Sequence, residues 1–244
     1  VLFGSEPSSK AIAKHLREGG EAWTVIDGAI VRCTPGAVTP LCPINDIPIA
    51  YGGAASFNIR NALGAAATAH HLGVPDDAIA KALRGFEPTD QDNPGRGNLF
   101  TVQGVSVLLD FAHNAEAIRA VLEFANALRA PHRLTLAVGL PGDRSDAALR
   151  EIAAVIAQAG PDRVLLRELA DYLRGRSLGE VPTLIRDELV ARGVAPEAID
   201  VRDSEVQSVE TGLSESRPGD VIVVLAHLER EAVRDALKSA RRPA

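Results

Sequence analysis

The sequence has no methionine among its 244 residues, not even an initiator. It also opens directly on three apolar residues, Val1, Leu2 and Phe3. We therefore expect a piece of a longer protein, although a sequence from which modified methionines had been omitted would look the same.

The sequence also lacks an excess of basic charge, a long apolar run and more than two cysteines. Lys and Arg number 26 against 32 Asp and Glu, and the formal net charge of −6 gives no positive field to attract nucleic acid. No apolar run approaches the ~20 residues of a membrane-spanning helix, and the first residues lack the apolar core of a signal peptide. Cys33 and Cys42 form no metal-ligand pattern. We expect a cytoplasmic protein without nucleic-acid or membrane partners and with two free thiols, a disulfide being the alternative.

Two nucleotide-binding motifs are absent as well. The chain contains no G-x-x-x-x-G-K-[ST] loop, whose backbone amides and lysine hold nucleotide phosphates. It also contains no G-x-G-x-x-G, which argues against an oxidoreductase domain of the Rossmann type. A nucleotide contact in this chain must therefore come from other residues.

Hydrophobic periodicity divides the chain into two parts. In the first part it predicts a short strand at 1–5, a helix at 11–20, a hairpin at 21–33 around Asp27-Gly28, and helices at 56–72 and 74–86. The proline-rich residues 39–53 are predicted to be a connector. Residues 86–98 are polar and turn-forming, and we place the domain boundary there, between residues 95 and 96.

The second part alternates regularly between strands and helices. Strands are predicted at 99–103, 105–110, 133–139, 163–166, 199–202 and 220–225. Helices are predicted near 115–129, 145–159, 181–192, 205–214 and 229–240. This alternation is typical of βαβ units, so the predicted fold class is α/β, a mostly parallel sheet flanked by helices. The first two strands flank Gln103-Gly104 and should form a hairpin at one edge.

Polar residues stand where one of these strands meets a helix, in the sequence LLDFAHNAEAIRAVL. Asp110 ends the strand, and Asn114 can cap the helix, whose first N–H groups are free. Ligands bind at the carboxyl ends of strands in such sheets, and a carboxylate there can accept hydrogen bonds from a ribose diol. In the alternative interpretation, Asp110 is only a turn acid and Asn114 only a cap.

Two other groups of residues suit a nucleotide. Asn58 and Asn61 lie on one helix face, and a carboxamide can both accept from the amino group of adenine and donate to its ring nitrogen. Arg96 lies in the tight turn NPGRGN, and its planar guanidinium suits phosphate. The alternatives are ordinary polar residues near a helix start and an ordinary surface arginine.

The loop LPGDRSD follows the predicted strand at 133–139 and should open at the same sheet edge as Asp110. Asp143 can pair with an ammonium group and Arg144 with a carboxylate, the two groups that an amino acid carries. In the alternative interpretation this Asp–Arg pair braces the loop, while Ser145 or Asp146 caps the following helix.

The order and spacing of NIRNALGAAATAHHLG, NPGRGN and VLLDFAHNAEA resemble the ATP-dependent Mur ligase superfamily. VGLPGDRSD and DYLRGRSLGEVPTLI resemble, more narrowly, the Mur-type half of cyanophycin synthetases and their stand-alone relatives. The resemblance implies that residues 1–95 are the last part of a central ATPase domain, and that residues 96–244 are a Rossmann-like C-terminal domain. Three departures stand out: Ala115 replaces the usual proline, Phe111 replaces the commoner tyrosine, and the segment before LRGR is not acidic.

The resemblance also implies roles for individual residues. The ATP-binding residues would be Asn58, Asn61, Arg96, Asp110, His113 and Asn114, and the residues that bind the amine substrate would be Asp143 and Arg144. The P-loop and the Mg²⁺ ligands of the family would lie upstream of Val1, so no catalytic residue or metal ligand is assigned within this chain.

The implied function is that of an ATP-dependent carboxylate–amine ligase, in which the amine of an amino acid or peptide attacks an acyl phosphate. ADP and phosphate are the other products. The chain would supply the adenosine contacts and the amine side of the site, and alone, without the P-loop part of the same protein, it should be inactive. The alternative is a non-catalytic nucleotide-binding module.

Overall fold

The computed structural model describes residues 1–129 and 131–240. It contains two compact units, Val1–Pro88 and a second unit that begins at Thr89. The placement of the domain boundary between residues 95 and 96, and the assignment of the two parts to a central and a C-terminal domain, stay predictions.

The first unit combines a four-stranded sheet with three helices. Its elements are β1 (Leu2–Phe3), α1 (Lys10–Arg17), β2 (Ala22–Ile26), β3 (Ala29–Thr34), β4 (Ala37–Pro43), α2 (Ser56–His71) and α3 (Asp76–Gly85). The strand order is β1-β2-β3-β4, with β1 parallel to β2 and the other pairs antiparallel. The predicted hairpin is confirmed, and Asp27 and Gly28 both have the positive φ that a two-residue hairpin turn of this kind requires.

The prediction that residues 39–53 form only a connector is wrong in its first part. These residues begin within β4, which pairs with β3, and continue as two short 3₁₀ helices, Ile44–Asp46 and Pro48–Gly53. Proline is tolerated in β4 because an edge strand has one unpaired side, and the register shifts beside Pro40. Cys33 and Cys42, on β3 and β4, are free and buried, and burial raises the pKa of both thiols.

The second unit is a six-stranded sheet flanked by helices. Its elements are β5 (Asn98–Val102), β6 (Val105–Asp110), α4 (Ala115–Arg129), β7 (Leu134–Gly139), α5 (Asp146–Ala159), β8 (Arg163–Arg167), α6 (Glu180–Ala191), β9 (Ile199–Arg202), α7 (Glu205–Glu215), β10 (Val221–Leu225) and α8 (Arg230–Ala240). The strand order is β5-β6-β10-β7-β8-β9. The α/β class, the parallel sheet and the β5–β6 hairpin are therefore confirmed.

The last strand, β10, lies between β6 and β7 and is parallel to both. All five of its residues are buried, as expected for a central strand covered by helices on both faces. In the register of the sheet, Leu225 is the partner of both Asp110 and Val138. The loops after β6, β10 and β7 therefore open at one edge, which we call the carboxyl edge, as predicted for Asp110 and the loop 140–146.

Within residues 1–129 and 131–240, no helix has both the length and the apolar character that a membrane span requires.

Leu108 tests how far the carboxyl edge depends on this core. Leu108 is fully buried in β6, two residues before Asp110, whereas Leu178 is 72% exposed. Leu108→Ala should lower the free energy of unfolding by about 2–5 kcal/mol through the lost contacts and the cavity left behind. Leu178→Ala should change it by less than about 0.5 kcal/mol. Urea unfolding followed by circular dichroism measures both, and equal losses would contradict the burial of β6.

Candidate functional site

Asp110 ends β6 with a buried carboxylate that two backbone amides hold in place. Its Oδ2 accepts from the N–H of Gly97 and its Oδ1 from the N–H of Ala112, both at 2.7 Å. Burial raises the pKa of Asp110, against the lowering effect of these hydrogen bonds and of the Arg96 charge. Each carboxylate oxygen has a second lone pair, so the group that fixes this corner can still accept a hydrogen bond from a ligand.

The turn NPGRGN is folded so that Arg96 faces outward. Gly95 and Gly97 have positive φ, and the N–H of Gly95 donates to Asn98 Oδ1 at 2.6 Å. Between them Arg96 is exposed, and its guanidinium carbon lies 4.9 Å from the centre of the Phe111 ring. The structure thus brings Arg96 to Phe111, the residue that follows Asp110, although the two are 15 positions apart in the sequence.

His113 and Asn114 are placed by local hydrogen bonds. His113 Nδ1 lies 3.0 Å from the carbonyl oxygen of Phe111, and Asn114 Oδ1 accepts from the N–H of Ala117 at 2.9 Å. Asn114 therefore is the predicted cap of α4. The cap uses the side-chain oxygen of Asn114, so the two N–H groups of the side chain can donate to other partners.

His227 belongs to this corner and was not predicted. It follows β10, and its Nε2 lies 3.2 Å from the carbonyl oxygen of Ala112. Its ring stands edge-on to Phe111, with centroids 5.1 Å apart. Burial lowers the pKa of His227, against the raising effects of the hydrogen bond to Ala112 and of the Glu205 charge, so the neutral ring is favoured at pH 7. Because a carbonyl oxygen can only accept, Nε2 carries the proton.

A buried ion pair at the same edge was also not predicted. Arg167 ends β8 and Glu205 begins α7, and they are 6% and 3% exposed. Arg167 Nη2 donates to Glu205 Oε1 at 2.5 Å. The sequence did carry a signal for Arg167 and His227, because LLRE and VVLAH place a polar residue at or just after the end of a buried strand, the feature that singled out Asp110.

Loop 140–146 carries both residues assigned to the amine substrate. Asp143 is exposed and Arg144 is half-buried, with a buried Nε that has no hydrogen-bond partner among the described residues. Within the described part of the chain the two form no ion pair with each other, so the alternative of an Asp143–Arg144 brace is wrong. Ser145 is the cap of α5, as its Oγ accepts from Ala148.

Arg176, from the loop after β8, is what braces loop 140–146. Its guanidinium donates to the carbonyl oxygens of Gly142 and Arg144, at 3.0 and 2.7 Å, and to Asp146 Oδ1 at 2.8 Å. Gly142 is required here, because a Cβ would collide with the carbonyl oxygen of Leu173. The brace leaves the Arg144 side chain out of the hydrogen bonds that hold the loop.

Asn58 and Asn61 lie on α2 in the first unit, on the shared face that was predicted. Asn58 is buried, and its Nδ2 donates to the carbonyl oxygen of Ile49 at 2.8 Å. Asn61 is exposed, and its Nδ2 lies 3.4 Å from Asn58 Oδ1. Asn58 thus connects α2 to the preceding 3₁₀ helix, and the adenine contacts of both residues stay predictions.

The described residues contain no group of three or more His, Cys, Asp or Glu side chains that could hold a metal ion.

Two buried aspartates, Asp110 at the carboxyl edge and Asp220 at the opposite end of the sheet, have pKa values shifted in opposite directions. Burial raises the pKa of Asp110. Asp220 lies at the other end of the sheet, where hydrogen bonds from the backbone of Arg217 and Arg133, together with the charges of Arg133 and His132, outweigh burial and lower its pKa. In a ¹³C titration of the carboxyl groups, Asp110 should therefore have the higher midpoint and Asp220 the lower one, on either side of the ordinary value of about 3.9.

The same shift has a consequence for stability. The pKa of Asp110 is higher in the folded than in the unfolded protein. Its contribution to the free energy of unfolding is therefore fully present below the unfolded pKa and is lost as pH rises through the folded pKa. Asp110→Asn should remove this decline from the stability profile. Coincident midpoints for Asp110 and Asp220 would contradict the assignment.

Comparison with known proteins places this arrangement in a family. The family model described as Mur ligase, glutamate ligase domain matches residues 95–228, which include Arg96, Asp110 and the loop 140–146. A solved structure of FolC from E. coli in complex with ADP has a TM-score of 0.61 at 19% identity, covering 94% of this chain and 51% of that chain. This likeness concerns the fold.

Two curated relatives are named cyanophycin synthetase. The protein of Synechocystis sp. is 32% identical over 100% of this chain and 27% of its own length. That of Crocosphaera subtropica is 31% identical over 96% of this chain and 26% of its own length. The chain thus spans about a quarter of the length of these relatives. Since the family model covers more than half of its 244 residues, the chain belongs to the Mur ligase family, through the glutamate ligase domain.

Proposed function

We propose that the chain is part of an ATP-dependent carboxylate–amine ligase that forms an amide bond and releases ADP and phosphate. It supplies contacts to the nucleotide and the side of the site that receives the amine of an amino acid or peptide. The observation that carries the proposal is the corner at the end of β6, where Arg96 lies over Phe111 and beside the buried carboxylate of Asp110. This corner lies within the residues that match the family model.

The nucleotide side of the proposal is supported by what each group at this corner can still bind. Asp110 has free lone pairs for the hydroxyls of a ribose, and Arg96 has an exposed guanidinium for a phosphate. Asn114 begins α4, where free N–H groups and the helix dipole favour negative charge. In the first unit, Asn61 has an exposed carboxamide that suits adenine.

The amine side is supported by loop 140–146. Arg176 and the Ser145 cap hold the backbone of this loop, so the side chains of Asp143 and Arg144 need not do so. An Arg144 Nε without a protein partner is costly when buried, and a substrate carboxylate would satisfy it. The exposed Asp143 can then accept a hydrogen bond from the ammonium group of the same molecule.

In this reaction the residues of the chain position and neutralise charge. ATP transfers its terminal phosphoryl group to a carboxylate, the amine attacks the acyl phosphate, and phosphate leaves as the amide bond forms. Such chemistry depends on holding the reactants close and in line. The carboxyl edge contributes by fixing the nucleotide on one loop and the amine on a loop two strands away in the same sheet.

Arg96→Ala tests the nucleotide side. Arg96 is exposed and donates no described hydrogen bond that holds the fold, so its loss should weaken ADP binding by roughly tenfold, about 1.4 kcal/mol, and leave stability unchanged. Calorimetric titration of the chain with ADP measures the affinity. Arg192→Ala, an exposed arginine at the far end of α6, is the matched control and should bind like the parent. Equal affinities in all three proteins would remove Arg96 from the nucleotide site.

Arg144→Ala tests the amine side in the longer ligase that we propose. It should raise KM for the amino acid and leave KM for ATP nearly unchanged, because Arg144 is assigned to the amine alone. Release of phosphate that depends on the amino acid measures both constants, again with Arg192→Ala as control. A parental KM for the amino acid, in a variant of parental stability, would contradict the assignment. Amide formation by residues 1–244 alone would contradict the division of roles.

A further inference from the structure

The Glu205 carboxylate binds the backbone of the turn 227–229 as well as the guanidinium of Arg167. Besides the bond from Arg167, Oε1 accepts from the backbone N–H groups of His227 and Leu228, at 2.7 and 3.1 Å. Oε2 accepts from the N–H of Glu229 at 2.6 Å. In return, the Glu229 carboxylate accepts from the N–H of Glu205 at 2.5 Å. The turn 227–229 is therefore tied to the start of α7 by bonds in both directions.

This turn reaches the corner at the end of β6 through one side chain. His227 Nε2 donates to the carbonyl oxygen of Ala112 at 3.2 Å, and its ring packs edge-on against Phe111. Ala112 in turn donates its N–H to Asp110, and the guanidinium of Arg96 lies over the ring of Phe111. A continuous set of contacts within the second unit thus runs from the Glu205 carboxylate to the segment 110–114.

We propose that Glu205, paired with Arg167, is a positioning residue that fixes the segment 110–114 and Arg96 through His227. The inference rests on the proposed function only for its consequence, the affinity for nucleotide. The geometry of the segment itself can be measured without any ligand. Glu205 lies 95 positions from Asp110 in the sequence, and nothing in the ligase proposal required it.

The carboxylate is needed in its charged form because of what surrounds it. It accepts three backbone N–H groups and one guanidinium N–H, and a carboxamide offers only one oxygen for these four donors. Glu205→Gln also leaves the buried Arg167 without its counter-charge. The turn 227–229 should then shift, and the His227 ring should lose its place against Ala112.

The experiment compares three variants of the full chain, and ADP is the ligand. Glu205→Gln removes the centre of the network, and His227→Ala removes only the link, since the bonds from residue 227 to Glu205 come from its backbone. Glu210→Gln, an exposed glutamate on the same helix, is the matched control. Amide ¹H–¹⁵N spectra report the segment 110–114, and long-range ¹H–¹⁵N spectra report the tautomer of the His227 ring.

Both test variants should shift the amide resonances of Asp110, Phe111 and Ala112 and weaken ADP binding by roughly tenfold. Glu205→Gln should also abolish the single Nε2–H tautomer of His227, and Glu210→Gln should match the parent throughout. If Glu205→Gln does not fold, His227→Ala still decides, because it keeps the ion pair.

Unchanged resonances at 110–112 in a folded His227→Ala variant would overturn the proposal. Shifted resonances with parental ADP affinity would overturn its consequence for binding. A parent that binds no ADP would instead count against the proposed function, and the resonances would still test the positioning.

Discussion

The parallel pairing of β10 with both β6 and β7 is the constraint on which the second unit depends. Every residue of β10 is buried, and its register sets Leu225 beside Asp110 on one side and Val138 on the other. Three loops that are distant in sequence therefore start at the same level of the sheet. One face of this sheet packs on α7 and α8 around Ile222 and Val224, and a shift of β10 by one residue would turn those side chains away from that core.

Buried carboxylates hold the loops at the carboxyl edge through hydrogen bonds to their backbone. Asp110 ties the turn around Gly97 to the start of the segment 110–114, and Glu205 ties the turn 227–229 to α7. Burying a carboxylate costs several kcal/mol, and hydrogen bonds to a charged group return about 1.5–3 kcal/mol each. This balance is favourable only while all the donors are present, so the loss of one donor should destabilise these turns.

Much of the second unit could be predicted from the sequence because its signals are local. The apolar runs, the caps and the alternation of strands with helices gave the parallel sheet and the edge at which Asp110 and the loop 140–146 lie. The strand β4 escaped prediction because its prolines are typical of loops, and only its position at the sheet edge tolerates them. Propensity cannot show which side of a strand will stay unpaired.

The network around Glu205 escaped prediction for a different reason. An acid in the first turn of a helix is favourable on its own, so Glu205 had a sufficient local explanation. Its partner Arg167 comes from β8, which α6 and β9 separate from α7 in the sequence. The turn 227–229 follows β10, the strand after α7, but its place beside Glu205 follows only from the strand order. His227 lies just after the buried strand β10, where a histidine can belong to the core as well as to a site.

The structure distinguishes buried from exposed polar residues, which the sequence alone does not. Asp110, Asn58 and Glu205 are buried and spend their hydrogen bonds on the backbone, whereas Arg96 and Asn61 are exposed. The buried groups keep only part of their bonding capacity, as the second lone pairs of Asp110 show, whereas the exposed side chains keep most of theirs. In the proposed site, Arg96 is already held over Phe111, so it would lose less freedom when a phosphate binds. In the proposed ligase, the interior carboxylates of the second unit would therefore act mainly by holding the turns around the exposed groups in place before a ligand binds.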